Sequence, residues 1–253
     1  MNFTMYKKWP LALILFALSF AIVGCDDEEA ETLDQNISLK FNATFDGEPL
    51  NFNEARMVDD HRFEMTTLNF YVSNIVFVKA DGTEDLFPDP VLINLGSTIS
   101  VIDQINLLVE PGDYESVRFA VGLDETANAV NAEAVEDTSS PISATQNMYW
   151  GWAKAYVFIK LEGRYDFQEL GTEVWDQSFA YHMGHNTIYN EVSINFNESV
   201  SGTERSEIEL DIDVKDIFFS DTNPIDIDTQ PTSHVSESAF VTRLSDNFVA
   251  AFE

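Results

Sequence analysis

One cysteine, Cys25, is the entire thiol inventory of this 253-residue chain. A single thiol rules out an intramolecular disulfide and a cysteine-built metal cage. Basic residues are scarce: 13 Lys and Arg stand against 44 Asp and Glu, giving a formal net charge of −31. So acidic a chain excludes nucleic-acid binding and charge-driven docking on anionic lipid. Histidine is confined to four positions, His61, His182, His185 and His234. Long amphipathic helical patterns are missing, as are a nucleophile elbow, a zinc-protease helix and a phosphate-cradling glycine loop. Without a convincing set of catalytic groups, the expected role is not that of an enzyme.

What is present begins with an export signal. Lys7 and Lys8 form a short basic start, and the apolar run at 11–23 is too short to span a bilayer comfortably as a mature helix. It closes on Ile22-Val23-Gly24-Cys25, the pattern of a bacterial lipoprotein cleavage site. Residues 1–24 are therefore expected to be a lipoprotein signal peptide, with Cys25 as the lipid attachment point. Residues 25–35, opening with Asp26-Asp27-Glu28-Glu29, are expected to be a solvated acidic tether. The expected location is extracytoplasmic, lipid-anchored to a bacterial membrane at its periplasmic face or at the cell surface.

Residues 36–253 have the pattern of one mainly β domain. The expected architecture is a single β-sandwich, immunoglobulin-like or similarly antiparallel, with a short C-terminal helix. Ile37, Leu39, Phe41, Ala43 and Phe45 alternate and stop at the turn dipeptide Asp46-Gly47. Residues 68–79 are apolar on both faces, as in a central strand, with Leu68, Phe70, Val72, Val76 and Val78 on one side. Val117, Phe119, Val121 and Leu123 mark another strand. In 207–217, Ile208, Leu210, Ile212 and Val214 point inward while Glu207, Glu209, Asp211 and Asp213 face water. The polar connection at 124–147 is expected to hold a short helix or lid. Phe240, Leu244 and Phe248, four apart, predict a helix over 235–248.

Chemistry concentrates in two stretches. One is Met148-Tyr-Trp-Gly-Trp-Ala-Lys-Ala-Tyr-Val-Phe-Ile-Lys-Leu-Glu-Gly163, and the other is Phe179-Ala-Tyr-His-Met-Gly-His185. With Trp175 between them, they hold three of the four tryptophans and two of the four histidines. Read as one strand, 148–161 places Trp150, Trp152, Lys154, Tyr156, Phe158 and Lys160 on one face, so the two indoles flank a common pocket. His182 and His185 are three apart and would point to opposite faces of a regular strand. Both can ligate one metal only if Gly184 breaks that strand. The competing structural reading makes the indoles core residues with satisfied N–H groups, and His61 a solvated imidazole beside carboxylates.

The ordered set Leu68-Asn-Phe-Tyr-Val-Ser-Asn-Ile75, Pro111-Gly-Asp-Tyr114, Val117-Arg-Phe-Ala-Val-Gly-Leu-Asp124, Met148-Tyr-Trp-Gly-Trp152, Tyr156-Val-Phe158, Glu162-Gly163 and Phe179-Ala-Tyr-His-Met-Gly184 resembles the MbnP-like family. That family is named for the periplasmic MbnP protein of methanobactin operons, and the resemblance spans roughly 37–250. It implies an exported copper-binding protein taking Cu(I) or Cu(II). It also implies a di-haem partner of the MauG/MbnH type, which oxidises a tryptophan to kynurenine. Carried over to this chain, the resemblance gives His182 as the leading ligand, His234 as a second imidazole, and Trp150 or Trp152 as the oxidisable residue. His185 completes the candidate metal set. The alternative is a non-metal binding module in which Trp150, Trp152 and Trp175 form a platform for a sugar or peptide. A flat exposed row of indoles would favour that platform, and a recessed indole beside an imidazole would favour metal.

Overall fold

The alternating segments predicted above become strands because each has one apolar face to bury and one polar face to solvate. The computed structural model describes residues 33–58, 61–96, 101–166, 174–234 and 238–253. The expected leader at 1–24, Cys25 and the tether as far as residue 32 lie outside the described residues. In chain order the described residues form β1 (Ile37–Phe45), β2 (Glu48–Pro49), β3 (Arg56–Val58), β4 (His61–Lys79), β5 (Glu84–Phe87), β6 (Val91–Asn94), β7 (Gln104–Leu107), β8 (Gly112–Val121), the single-turn helix α1 (Glu125–Asn128), β9 (Tyr149–Trp150), β10 (Ala155–Tyr156), β11 (Ile159–Tyr165), β12 (Gln177–Met183), β13 (Asn190–Val200), β14 (Ser206–Asp213), α2 (Val214–Phe218), β15 (Thr232–Ser233) and α3 (Ala239–Ala250).

These strands build a β-sandwich. One sheet runs β14–β1–β2, with β7 also on β1, and the other runs β13–β8–β4–β11–β12–β15, with β3, β5 and β6 added along β4. The pairing is not purely antiparallel, because β1 lies parallel to β14 and β12 parallel to β15. Aromatic rings fill the space between the layers. Phe41 of β1 meets Phe70 of β4 at 5.6 Å and Phe119 of β8 at 5.9 Å, both edge-on. Phe248 of α3 closes on Phe70 at 5.2 Å. No described helix is long and apolar enough to cross a membrane.

The long strand expected at 148–161 is broken: β9 and β10 pair through Trp150 and Ala155, with a tight turn at 151–154 and Lys154 in the left-handed region at φ 54°. The two indoles therefore do not share a strand face. In β4 the alternation slips at Asn74, a bulge at φ 50°, so Ile75 and Phe77 are buried and Val76 and Val78 only half-buried. The strand at 207–217 stops at Asp213, whose side chain caps α2 by accepting from the Lys215 N–H. The C-terminal helix starts at Ala239, capped by Ser238, and residues 235–237 lie outside the described residues. The 124–147 connection holds α1 and 3₁₀ turns at Ala132–Ala134 and Ala144–Gln146. It packs over β4 and β10, where Tyr71 and Tyr156 respectively donate to the Pro141 and Ile142 carbonyls at 2.8 and 2.7 Å.

Candidate metal centre

The site is set by strand register on the outer face of the larger sheet. In β11, Ile159, Leu161 and Gly163 are buried inward, which turns Lys160 and Glu162 outward. In β12, Phe179, Tyr181 and Met183 are buried, which turns Ala180 and His182 outward. The antiparallel register places Lys160 opposite His182, and Glu162 opposite Ala180, one diagonal step from the imidazole. On the far side, β15 runs parallel to β12 with Ser233 beside Tyr181, so the next residue, His234, arrives beside His182. The two imidazoles meet edge-on, with ring centroids 4.5 Å apart at 72°.

Glu162 anchors this pair. Its Oε1 lies 2.7 Å from His182 Nε2, its Oε2 accepts from Thr67 Oγ1 at 3.0 Å, and Lys160 Nζ stands 3.6 Å from Oε1. The His182 hydrogen bond, with Lys160 and Thr67 adding to it, holds the Glu162 carboxyl down to about 2 against the opposing effect of burial. Glu162 is thus a carboxylate at any physiological pH. The partial burial of His234, and then the neighbouring His182, hold the His234 imidazole below its ordinary range, with Glu162 pulling the other way. A neutral imidazole keeps the lone pair that a metal needs. One polar atom on the strand next to the site, Asn69 Oδ1, has no hydrogen-bond partner among the described residues. Asn69 is the cross-strand neighbour of Lys160.

The remaining candidates have other contacts of their own. Strand β12 ends at Met183, so Gly184 does break the strand. A Cβ there would fall 1.8 Å from the Tyr156 carbonyl oxygen, and the chain passes too close for any side chain. His185 then caps the Asn186–Ile188 turn, its Nδ1 accepting from the Thr187 N–H at 3.2 Å. Trp150 is buried and packs on Trp152 at 5.9 Å, while Trp152 is 77% exposed at the hairpin tip. Lys154, in the same turn, pairs with Glu133 of the covering connection. Trp175 is half-buried under Arg62, whose guanidinium carbon is 4.4 Å from the ring centroid. The three indoles therefore form no flat row. Among the described residues, ring contacts join indole to indole and imidazole to imidazole, and none joins the two kinds.

The imidazole pair suits a metal that accepts few, nitrogen-rich ligands, and copper meets that description. No group of three or more His, Cys, Asp and Glu side chains among the described residues is placed to hold a metal ion. Of the candidate ligands, His182 and His234 are the two whose rings are in contact, and the indoles of Trp150 and Trp152 contact each other instead. Sequence reading missed Glu162 as a site residue. The available signal was its outward phase in the Ile159–Tyr165 alternation, twenty residues before His182. Without the β11–β12 register that phase has no meaning.

The MbnP family model matches residues 34–237, a span that includes both imidazoles and Glu162. Among solved structures, MbnP from Methylosinus trichosporium is similar at 12% sequence identity and a TM-score of 0.48, covering 80% of this chain and 81% of that one. No curated protein sequence matches the chain.

Proposed function

The chain belongs to the MbnP family, and on that premise we propose that it is an extracytoplasmic copper-binding protein, lipid-anchored through Cys25, that captures copper or hands it on. The observation that carries this reading is the edge-on His182–His234 pair, 4.5 Å between centroids, on an otherwise histidine-poor sheet face. Copper would be held there as cargo for transfer between proteins, by nitrogen donors that suit it, and the task requires no general acid or base. The chain's own residues do the holding: two imidazoles converge, and an ionised Glu162 supports one of them.

Trp150 and Trp152 enter the proposal as the residues that a di-haem partner of the MauG/MbnH type would oxidise to kynurenine. Trp152 is the accessible one, and its indole is in ring contact with Trp150. The sugar or peptide platform has less support, because Trp150 is buried and Trp175 is engaged by Arg62.

Competition titration of the protein with Cu(I) and Cu(II) tests the proposal. His182→Ala and His234→Ala should each weaken binding by more than the ~10–100-fold typical of a supporting group. Affinities that match the parent protein in both variants would refute the site. Intact mass of the protein from its native host tests the partner: kynurenine exchanges one tryptophan carbon for one oxygen, and an unmodified mass would remove that part.

A further inference from the structure

We infer that Glu162 is a positioning residue that fixes His182 in the Nε2–H tautomer, so that His182 binds copper through Nδ1. The inference rests on the copper reading above and specifies which atom of that site carries the bond. An ionised carboxylate only accepts hydrogen bonds. The 2.7 Å contact between Glu162 Oε1 and His182 Nε2 therefore requires the proton on Nε2. A neutral imidazole with Nε2 protonated has its one lone pair on Nδ1.

The carboxylate is itself held from two further sides. Thr67 Oγ1 donates to Oε2 at 3.0 Å, and Lys160 Nζ lies 3.6 Å from Oε1. Both come from strands that pair with or contain Glu162, so the carboxylate cannot swing without giving up both side-chain contacts. The register of β11 against β4 shifts between Glu162 and Gly163, a bulge that leaves Glu162 opposite Thr67 and Gly163 opposite Met65. At Gly163 a Cβ would fall 2.1 Å from the Glu64 carbonyl oxygen, so the bulge is built around a residue with no side chain. Bulges of this kind aim a neighbouring side chain, and here that side chain is Glu162. The side chains are 18% exposed for His182 and 31% for Glu162, so bulk water competes little for the bond. A carboxylate on the far nitrogen of a ligating imidazole fixes the ring orientation and raises its basicity as a donor.

The test combines a metal-free and a metal-loaded readout on the full chain. Nitrogen-15 correlation NMR of the copper-free protein should show His182 as the Nε2–H tautomer. Glu162→Ala should leave a mixture of tautomers and weaken Cu(I) binding by roughly 10–100-fold, and Glu162→Gln, which keeps an oxygen acceptor, should recover part of both. A His182 found as the Nδ1–H tautomer in the parent protein overturns the inference even if every variant misfolds. So does a Glu162→Ala protein that keeps parental affinity while His182→Ala loses it. Parental affinity in His182→Ala is a different outcome: it removes the copper reading itself.

Discussion

A Cβ added at Gly184 would meet the Tyr156 carbonyl oxygen at 1.8 Å, and because that oxygen is backbone and the Cβ position is fixed by the backbone, neither yields cheaply. Gly184→Ala should destabilise the protein by about 1–3 kcal/mol, read as a lower urea midpoint at unchanged slope. It should also weaken copper binding by displacing the end of β12 that carries His182. Glu162 gives a second residue-level prediction, for the metal-free protein. Its folded-state pKa is held down to about 2 from the ordinary 4.5. A depressed carboxyl contributes stability that is fully present above 4.5 and is lost as the pH falls through about 2. Over that window the midpoint of the parent protein should fall more steeply than that of Glu162→Gln, and parallel curves would refute the assignment. At this scale the histidines stood out in the sequence because they are few, and the family resemblance ranked them. Glu162 did not stand out among 44 acids, because nothing local marks a carboxylate whose partner lies across a strand pair.

At the scale of elements, periodicity predicted strands well where one face is buried and poorly where a single residue resets the phase. The β1 strand and its Asp46-Gly47 turn follow the pattern, with both turn residues at positive φ, 58° and 76°. The Asn74 bulge and the 151–154 turn defeat it, because each changes the side-chain phase without changing local hydrophobicity. Asp213 ends β14 for a reason visible only in three dimensions. Its carboxylate accepts from the Lys215 N–H at 2.8 Å and also from the Asp46 and Gly47 N–H groups, at 3.1 and 2.8 Å. One buried side chain thus caps α2 and receives the β1–β2 turn. Asp213→Ala should cost about 2 kcal/mol or more, beyond a simple cap loss, because turn amides are orphaned with the helix start. Thermal unfolding of the variant gives the value, and a change within about 0.5 kcal/mol would show that water replaces the carboxylate.

At the scale of the whole molecule, the acidic composition and the outer-face site combine. A net charge of −31 raises the local concentration of cations. Association of aqueous Cu(II) should slow roughly tenfold as ionic strength rises from about 0.01 M to 0.15 M. A salt-independent rate would mean that Lys160, 3.6 Å from Glu162, screens the site from the general field. The β-sandwich class was legible in the chain, but its closure was not. β1 pairs in parallel with β14, joining Ile37 to Ser206 across most of the domain. β15 likewise brings His234 to His182 through a two-residue parallel contact. Pairings of such sequence separation leave no local trace, and both the fold's edge and the imidazole pair depend on them.

The most direct test is X-ray absorption at the copper edge of the loaded full chain, compared with His182→Ala and His234→Ala. Copper held by His182 and His234 should give outer-shell scattering from two imidazole rings in the parent protein and from one in each variant. Two-ring scattering that survives in either variant, or a spectrum without imidazole in the parent, would contradict that binding mode.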